Sequence, residues 1–158
     1  MLKVMIVDDD FLVRQGMSEA IPWADYGCAV VALACDGQEA LELIPQAMPD
    51  LVFCDVVMPR MNGLALLSQL QAIWPWIKVV MVSAHDESPY IREALRSDAV
   101  DYLLKPFHAE DIAQIIRKVR RKLEGERITL SAQAKANPQA VLELNEHADR
   151  VQQALREM

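Results

Sequence analysis

The chain is poor in the features that would fix a structure covalently or by bulk charge. It has 158 residues and three cysteines, Cys28, Cys35 and Cys54. The number is odd, no C-x-x-C pair is present and no histidine stands at metal-ligand spacing, so neither a disulfide framework nor a zinc site is indicated. Small buried thiols in a reducing compartment are the reading they support. Basic residues are in deficit, 16 Lys and Arg against 23 Asp and Glu, for a formal net charge of -7. Charge-driven nucleic-acid binding needs clustered Lys and Arg, so it is not expected of this chain. No run approaches the ~18 apolar residues that span a bilayer. The apolar stretch before Asp8 is too short for a secretory h-region and lacks a cleavage site. A soluble, cytoplasmic protein is expected. At 53% hydrophobic residues the chain is too apolar for disorder, and its length suits one domain with an appendage.

What is present is an alternation. Lys3–Val7, Ala29–Ala34, Leu51–Cys54, Ile77–Val82 and Val100–Leu104 are short runs rich in Val, Ile and Leu. Their near-continuous apolarity suits strands buried on both faces. Between and after them lie amphipathic segments marked by Leu41, Leu43 and Ile44, by Leu64, Leu67 and Leu70, by Ile91 and Leu95, and by Ile112, Ile115, Ile116, Val119 and Leu123. Asp36-Gly37, Met48-Pro49-Asp50, Asn62-Gly63 and Trp74-Pro75 punctuate them. Five strands alternating with five helices predict an α/β fold, an open, doubly wound parallel sheet of right-handed βαβ units.

Residues 1–124 are expected to form this domain, ending at Glu124-Gly125-Glu126, with 125–158 as linker and helical tail. Asn137-Pro138 is a helix start. Beyond it Val141, Leu144, Ala148, Val151 and Leu155 repeat at 3-4 spacing, about two heptads of a coiled-coil seam. Two readings stand for the tail: a helix that packs on the domain or frays, and a dimerising or signalling helix.

The polar residues at the carboxyl ends of the runs carry the chemistry. Asp8, Asp9 and Asp10 follow the first, Asp55 the third, Ser83 the fourth and Lys105 the fifth. In a doubly wound sheet all these places face one end, where ligands bind. Carboxylates gathered there repel unless a cation sits among them, and an oxygen-only set of few ligands suits Mg²⁺ sharing its shell with a phosphate. Lys105 supplies a compact positive charge and Ser83 a hydroxyl. Asp10 is more simply a helix cap. Asp55 lies inside an apolar stretch, where an unpaired charge is costly.

Asp8-Asp9, Asp55-x-x-Met58-Pro59-x-x-x-Gly63, Ser83-Ala84 and Lys105-Pro106, in this order, resemble a bacterial response-regulator receiver domain over roughly residues 1–124. Ile21-Pro22-Trp23 through Tyr26-Gly27-Cys28 further resembles receivers that precede an AraC-type helix-turn-helix domain. The resemblance implies a flavodoxin-like (βα)5 sheet of order 2-1-3-4-5. It implies Asp55 as phosphoacceptor, and Asp9, Asp55, Asp8 and the Val57 backbone carbonyl as Mg²⁺ ligands. Lys105 would pair with the phosphoryl oxygens, its bond to Pro106 would be cis, and Ser83 would hydrogen-bond the phosphoryl group. Tyr102 would swing inward as Ser83 moves. A sensor histidine kinase would be the partner, and transcription would be the output, through a DNA-binding domain this chain lacks. The phosphoryl charge would bias a face made by the fourth strand and the domain's last two helices, through which homodimers could form.

Ser83 stands where Thr is commoner, and Asp98 where Gly is frequent. Val57 and His85 flank the approach of hydrolytic water. Val57 cannot orient a water, so slow autodephosphorylation is expected unless His85 assists; His85 otherwise reads as a solvated loop residue. Trp74 and Trp76 read either as a partner patch or as cover for the core edge. Arg117, Lys118, Arg120, Arg121 and Lys122 read either as a solvated helix face or as a salt-bridged dimer contact. The chain is expected to be a regulatory phosphoacceptor rather than an enzyme. Two other classes stay open. One is a Mg²⁺-dependent aspartyl-phosphate hydrolase, for which Asp55-Val56-Val57 lacks the second Asp. The other is an interaction module with a vestigial acidic site.

Overall fold

The computed structural model describes residues 1–84, 89, 99–133, 150 and 153, with the backbone alone for 127–133. The predicted strands form with small shifts at their ends. They are β1 (Leu2–Val7), β2 (Cys28–Ala34), β3 (Leu51–Asp55), β4 (Lys78–Ser83) and β5 (Asp101–Leu104). All pair in parallel, in the order β2-β1-β3-β4-β5. Helices α1 (Phe11–Ala20), α2 (Gly37–Ala47), α3 (Gly63–Ile73) and α4 (Ala109–Gln133) accompany them, with a short 3-10 turn at Trp23–Tyr26. The predicted amphipathic segment at Ile91 and Leu95, together with His85, Asp98 and the tail helix start at Asn137, lies outside the described residues.

Both faces of the sheet are covered, which is why its strands are apolar at successive positions. Val4 and Ile6 of β1, Leu51 and Phe53 of β3, and Val80 and Val82 of β4 point to one side. There they meet Met17 of α1 and Ile112, Ile116, Val119 and Leu123 of α4. Met5 and Val7, Val52 and Cys54, and Val79 and Met81 point to the other, against Ala40 and Ile44 of α2 and Leu66, Leu67 and Leu70 of α3. Trp74 and Trp76 lie partly buried against this second cluster, as cover for the core edge. Trp23 is buried, its ring 5.5 Å from Phe53 and its indole N–H donated to the Met17 carbonyl at 2.9 Å. Cys28 and Cys54 are buried and Cys35 half-buried, all as free thiols. Burial pushes the Cys28 thiol up to about 11 and raises Cys54 further, so both stay protonated and inert at neutral pH.

Helix starts follow their caps. Asp10, Asp36 and Asn62 stand in extended backbone and accept from the N–H groups of Leu12, Glu39 and Ala65. α4 continues through Gly125 to Gln133, so Glu124-Gly125-Glu126 lies inside a helix. One interior Gly costs a helix about 1 kcal/mol, and the next residue, Glu126, is held by an ion pair with Lys78. Along the basic run, Arg117 pairs with Glu110, Lys118 with Asp101, and Arg120 donates to the Tyr26 carbonyl. These three therefore serve contacts within the chain. Among the described residues no helix is long and apolar enough to cross a membrane.

Candidate functional site

Strand order reverses between β1 and β3, since the chain passes from β1 outward to β2 and then returns to the other side of β1. The carboxyl ends of β1 and β3 therefore flank the crevice where open α/β sheets bind ligands. Asp8 follows the last residue of β1, and Asp55 is itself the last residue of β3. One carboxylate oxygen from each of Asp8, Asp9 and Asp55 lies within 4.8 Å of the others. Asp10 stays out of this group and caps α1, its carboxylate accepting from the Leu12 N–H at 2.9 Å.

Asp8 is buried, accepts from the Asp10 N–H at 2.9 Å and receives the Lys105 ammonium at 3.0 Å. The same ammonium lies 3.8 Å from Asp55. Lys105 follows β5, and its bond to Pro106 is cis, as the resemblance implies. Its backbone N–H donates to the Ser83 carbonyl at 2.8 Å, tying the end of β5 to the end of β4. Ser83 is buried, one residue beyond Val82, the residue that pairs with Asp55 across β3 and β4. Tyr102 is 38% exposed and lines a surface cavity of about 620 Å³ with Asp101, Asp111, Lys118 and Arg121. Its ring thus lies on the outer side of β5.

Burial and the neighbouring Asp8 charge push the Asp55 carboxyl up to about 6, against the pull of Lys105. Lys105 is raised by its hydrogen bond to Asp8 and by the charges of Asp55, Asp8 and Asp9, which outweigh its desolvation. Three carboxylates against one ammonium leave the cluster negative. An oxygen-only donor set with excess negative charge fits a hard divalent cation such as Mg²⁺.

The loop after β3 is held by contacts from α2 and by the close approach of Gly63. Asp36 is buried at the start of α2 and pairs with the Arg60 guanidinium at 2.6 Å, which holds its carboxyl below the usual range. Arg60 takes this position with φ 62°, a left-handed conformation uncommon outside glycine. The Gly37 N–H donates to the Met61 carbonyl at 3.1 Å. Gly63 packs so closely that an added Cβ would stand 2.2 Å from the Asp55 carbonyl oxygen. Val57, in this loop, is exposed.

The response regulator receiver domain model matches residues 4–117. The chain belongs to the response regulator receiver family. The Staphylococcus aureus transcriptional regulatory protein HptR is 40% identical over 125 residues, 78% of this chain and 49% of the relative. The REC domain of AraT, a response regulator from Geobacillus stearothermophilus, superposes with TM-score 0.72 at 39% identity, covering 79% of this chain and 97% of that one. A LuxR-family DNA-binding response regulator from Staphylococcus aureus superposes with TM-score 0.67 at 27% identity, covering 75% and 98%. This receiver therefore belongs to a response regulator of two-component signalling. It spans about half the length of the curated relatives it matches.

Proposed function

We propose that the receiver is a phospho-accepting switch in which a sensor histidine kinase transfers a phosphoryl group to Asp55. The convergence of Asp8, Asp9 and Asp55 with the Lys105 ammonium carries this reading. A carboxylate oxygen of Asp55 attacks phosphorus, the bond from phosphorus to the donor breaks, and the donor leaves with its electron pair. The product is an acyl phosphate. Mg²⁺, held by Asp8, Asp9, Asp55 and the Val57 carbonyl, would supply charge neutralisation for the phosphoryl oxygens. Lys105 passes from Asp8 to a phosphoryl oxygen, and Ser83 donates its hydroxyl to another. The phosphoryl group adds about -1.5 to -2 charges, and Tyr102 moves inward with Ser83.

The receiver catalyses only its own phosphorylation and dephosphorylation, and it acts in the cytoplasm. Its output is transcription, through a DNA-binding domain of AraC type that lies outside this sequence, with no nucleic-acid or membrane contact from the receiver itself. Residues 1–124 form the receiver and 125–158 the linker and helical tail. Homodimers would form through the face that carries Tyr102 or through the tail.

Incubation with a small phosphodonor and Mg²⁺, followed by intact mass measurement, tests the proposal. A stable single adduct that Asp55→Asn loses supports the switch. Multiple-turnover phosphate release would instead indicate a hydrolase, and no adduct at all an interaction module.

A further inference from the structure

The pole opposite the acidic cluster holds a second buried carboxylate. Asp50 precedes β3 and is 0% exposed. Its N–H donates to the Lys3 carbonyl at 2.8 Å, and its carbonyl accepts from the Lys78 N–H at 3.0 Å. Its carboxylate accepts from the Lys3 N–H at 2.9 Å. Asp50 is thus the point where the amino ends of β1, β3 and β4 are joined. A carboxylate withdrawn from water at such a junction needs a cation or is forced toward its neutral form. Desolvation does raise the Asp50 carboxyl, with Arg150 among the groups that oppose the rise.

The cation comes from far along the chain. The Arg150 Nη1 lies 2.8 Å from the Asp50 carboxylate and donates to the Met48 carbonyl at 2.6 Å. Met48 closes α2 in a left-handed conformation, with φ 45°. The Arg150 side chain is 22% exposed, so its head is largely covered. A guanidinium carries several donors in a rigid plane and satisfies a carboxylate and a carbonyl together, which a lysine does poorly. A second contact reaches the same pole, since Glu126 near the end of α4 pairs with the side chain of Lys78, whose backbone is bonded to Asp50.

We infer that the amino-end pole of the sheet is a docking site for the chain's own C-terminal segment, with Arg150 as the plug that closes it over Asp50. β3 separates this contact from Asp55 by five residues, about 17 Å at 3.3–3.4 Å per residue. The Arg150 contact thus lies at the pole opposite the acidic cluster. This inference does not depend on phosphorylation of Asp55.

The test uses the full chain without phosphodonor, in a Cys35→Ser background, with a nitroxide on Gln153→Cys. Gln153 is exposed. The amide signals of Lys3, Met48 and Asp50 are expected to broaden strongly, and that of Asp9 at the far pole to stay sharp. Arg150→Ala should relieve the broadening several-fold while leaving the other signals dispersed, and Arg150→Lys should relieve it in part. Asp50→Asn should act in the same direction as Arg150→Ala. Absence of broadening in the parent, or broadening unchanged in Arg150→Ala, would overturn the inference. So would broadening seen only when the spin-labelled and isotope-labelled chains are separate molecules, which would assign the contact to a second copy.

Discussion

The Lys105 ammonium lies 3.0 Å from the Asp8 carboxylate, nearer than its 3.8 Å to Asp55. Without a cation in the cluster, its first role is to satisfy a buried acid. Lys105→Ala leaves Asp8 buried beside Asp9 and Asp55 with its cation gone. The expected loss is about 1–3 kcal/mol of stability in metal-free buffer. Millimolar Mg²⁺ should restore most of it, because the ion takes over the neutralising charge. Thermal unfolding with chelator and with Mg²⁺ measures both. A loss that Mg²⁺ leaves unchanged would show that Lys105 stabilises the fold by packing instead.

Asp55 makes the metal-free protein sensitive to pH. Its folded-state pKa of about 6 exceeds the ordinary value of 3.8. Between these values the native state holds more proton than the unfolded chain, so this group's contribution falls as pH rises. Its cost is fully present above about pH 7. Asp55→Asn removes it and should be more stable than the parent by on the order of 2–3 kcal/mol at pH 7.5. The difference should shrink toward pH 4. Mg²⁺ should narrow it at pH 7.5 by stabilising the parent alone. Denaturant titrations of the two proteins at several pH values supply the comparison, and a difference that does not vary with pH would refute this account.

Gly63 is required for close approach rather than for a left-handed backbone. A Cβ there would meet the Asp55 carbonyl oxygen at 2.2 Å and the Met81 methyl at 2.6 Å. The methyl can swing aside, but the carbonyl belongs to the end of β3. Gly63→Ala should therefore destabilise by about 1–3 kcal/mol and displace the Asp55 backbone. Phosphodonor labelling should slow in parallel with the stability loss. Labelling at the parental rate in a destabilised variant would show that the strain is absorbed by α3.

Hydrolysis of the proposed phosphoryl-Asp55 should be slow. Val57 is exposed on the loop after β3 and has no polar atom to hold an attacking water. Decay of the adduct in Mg²⁺ is expected over minutes or longer, and Val57→Asn should accelerate it. Decay within seconds in the parent would contradict the prediction. His85→Ala would then assign any contribution of that histidine, which lies outside the described residues.

The residues brought together at the acidic cluster were readable beforehand for a physical reason. Asp8, Asp9, Asp55, Ser83 and Lys105 all stand at the carboxyl ends of apolar runs, and a parallel sheet carries every such end to the same pole. Local pattern plus one topological rule places them together without any knowledge of side-chain contacts. The caps at Asp10, Asp36 and Asn62 were legible in the same way, because a cap acts on its own next turn. α4 runs on through Gly125 because helix propensity is a small local term, outweighed here by the rest of the helix and by the Glu126 contact with Lys78.

The charged contacts that hold the ends of the sheet were not readable. Asp36 and Arg60 are 24 positions apart, and Asp50 and Arg150 are 100 apart. Asp36-Gly37 and Met48-Pro49-Asp50 read only as turn and cap signals between elements, because an ion pair has no period and leaves no trace in composition. The left-handed backbone at Met48 and Arg60 was equally silent, since neither residue favours it. By itself the sequence determined the alternation of strands and helices and the pole at which the carboxylates gather, because both follow from short-range patterning and strand direction. Only the tertiary structure decided which buried acid meets which cation, because pairing depends on distances between segments that share no local signal.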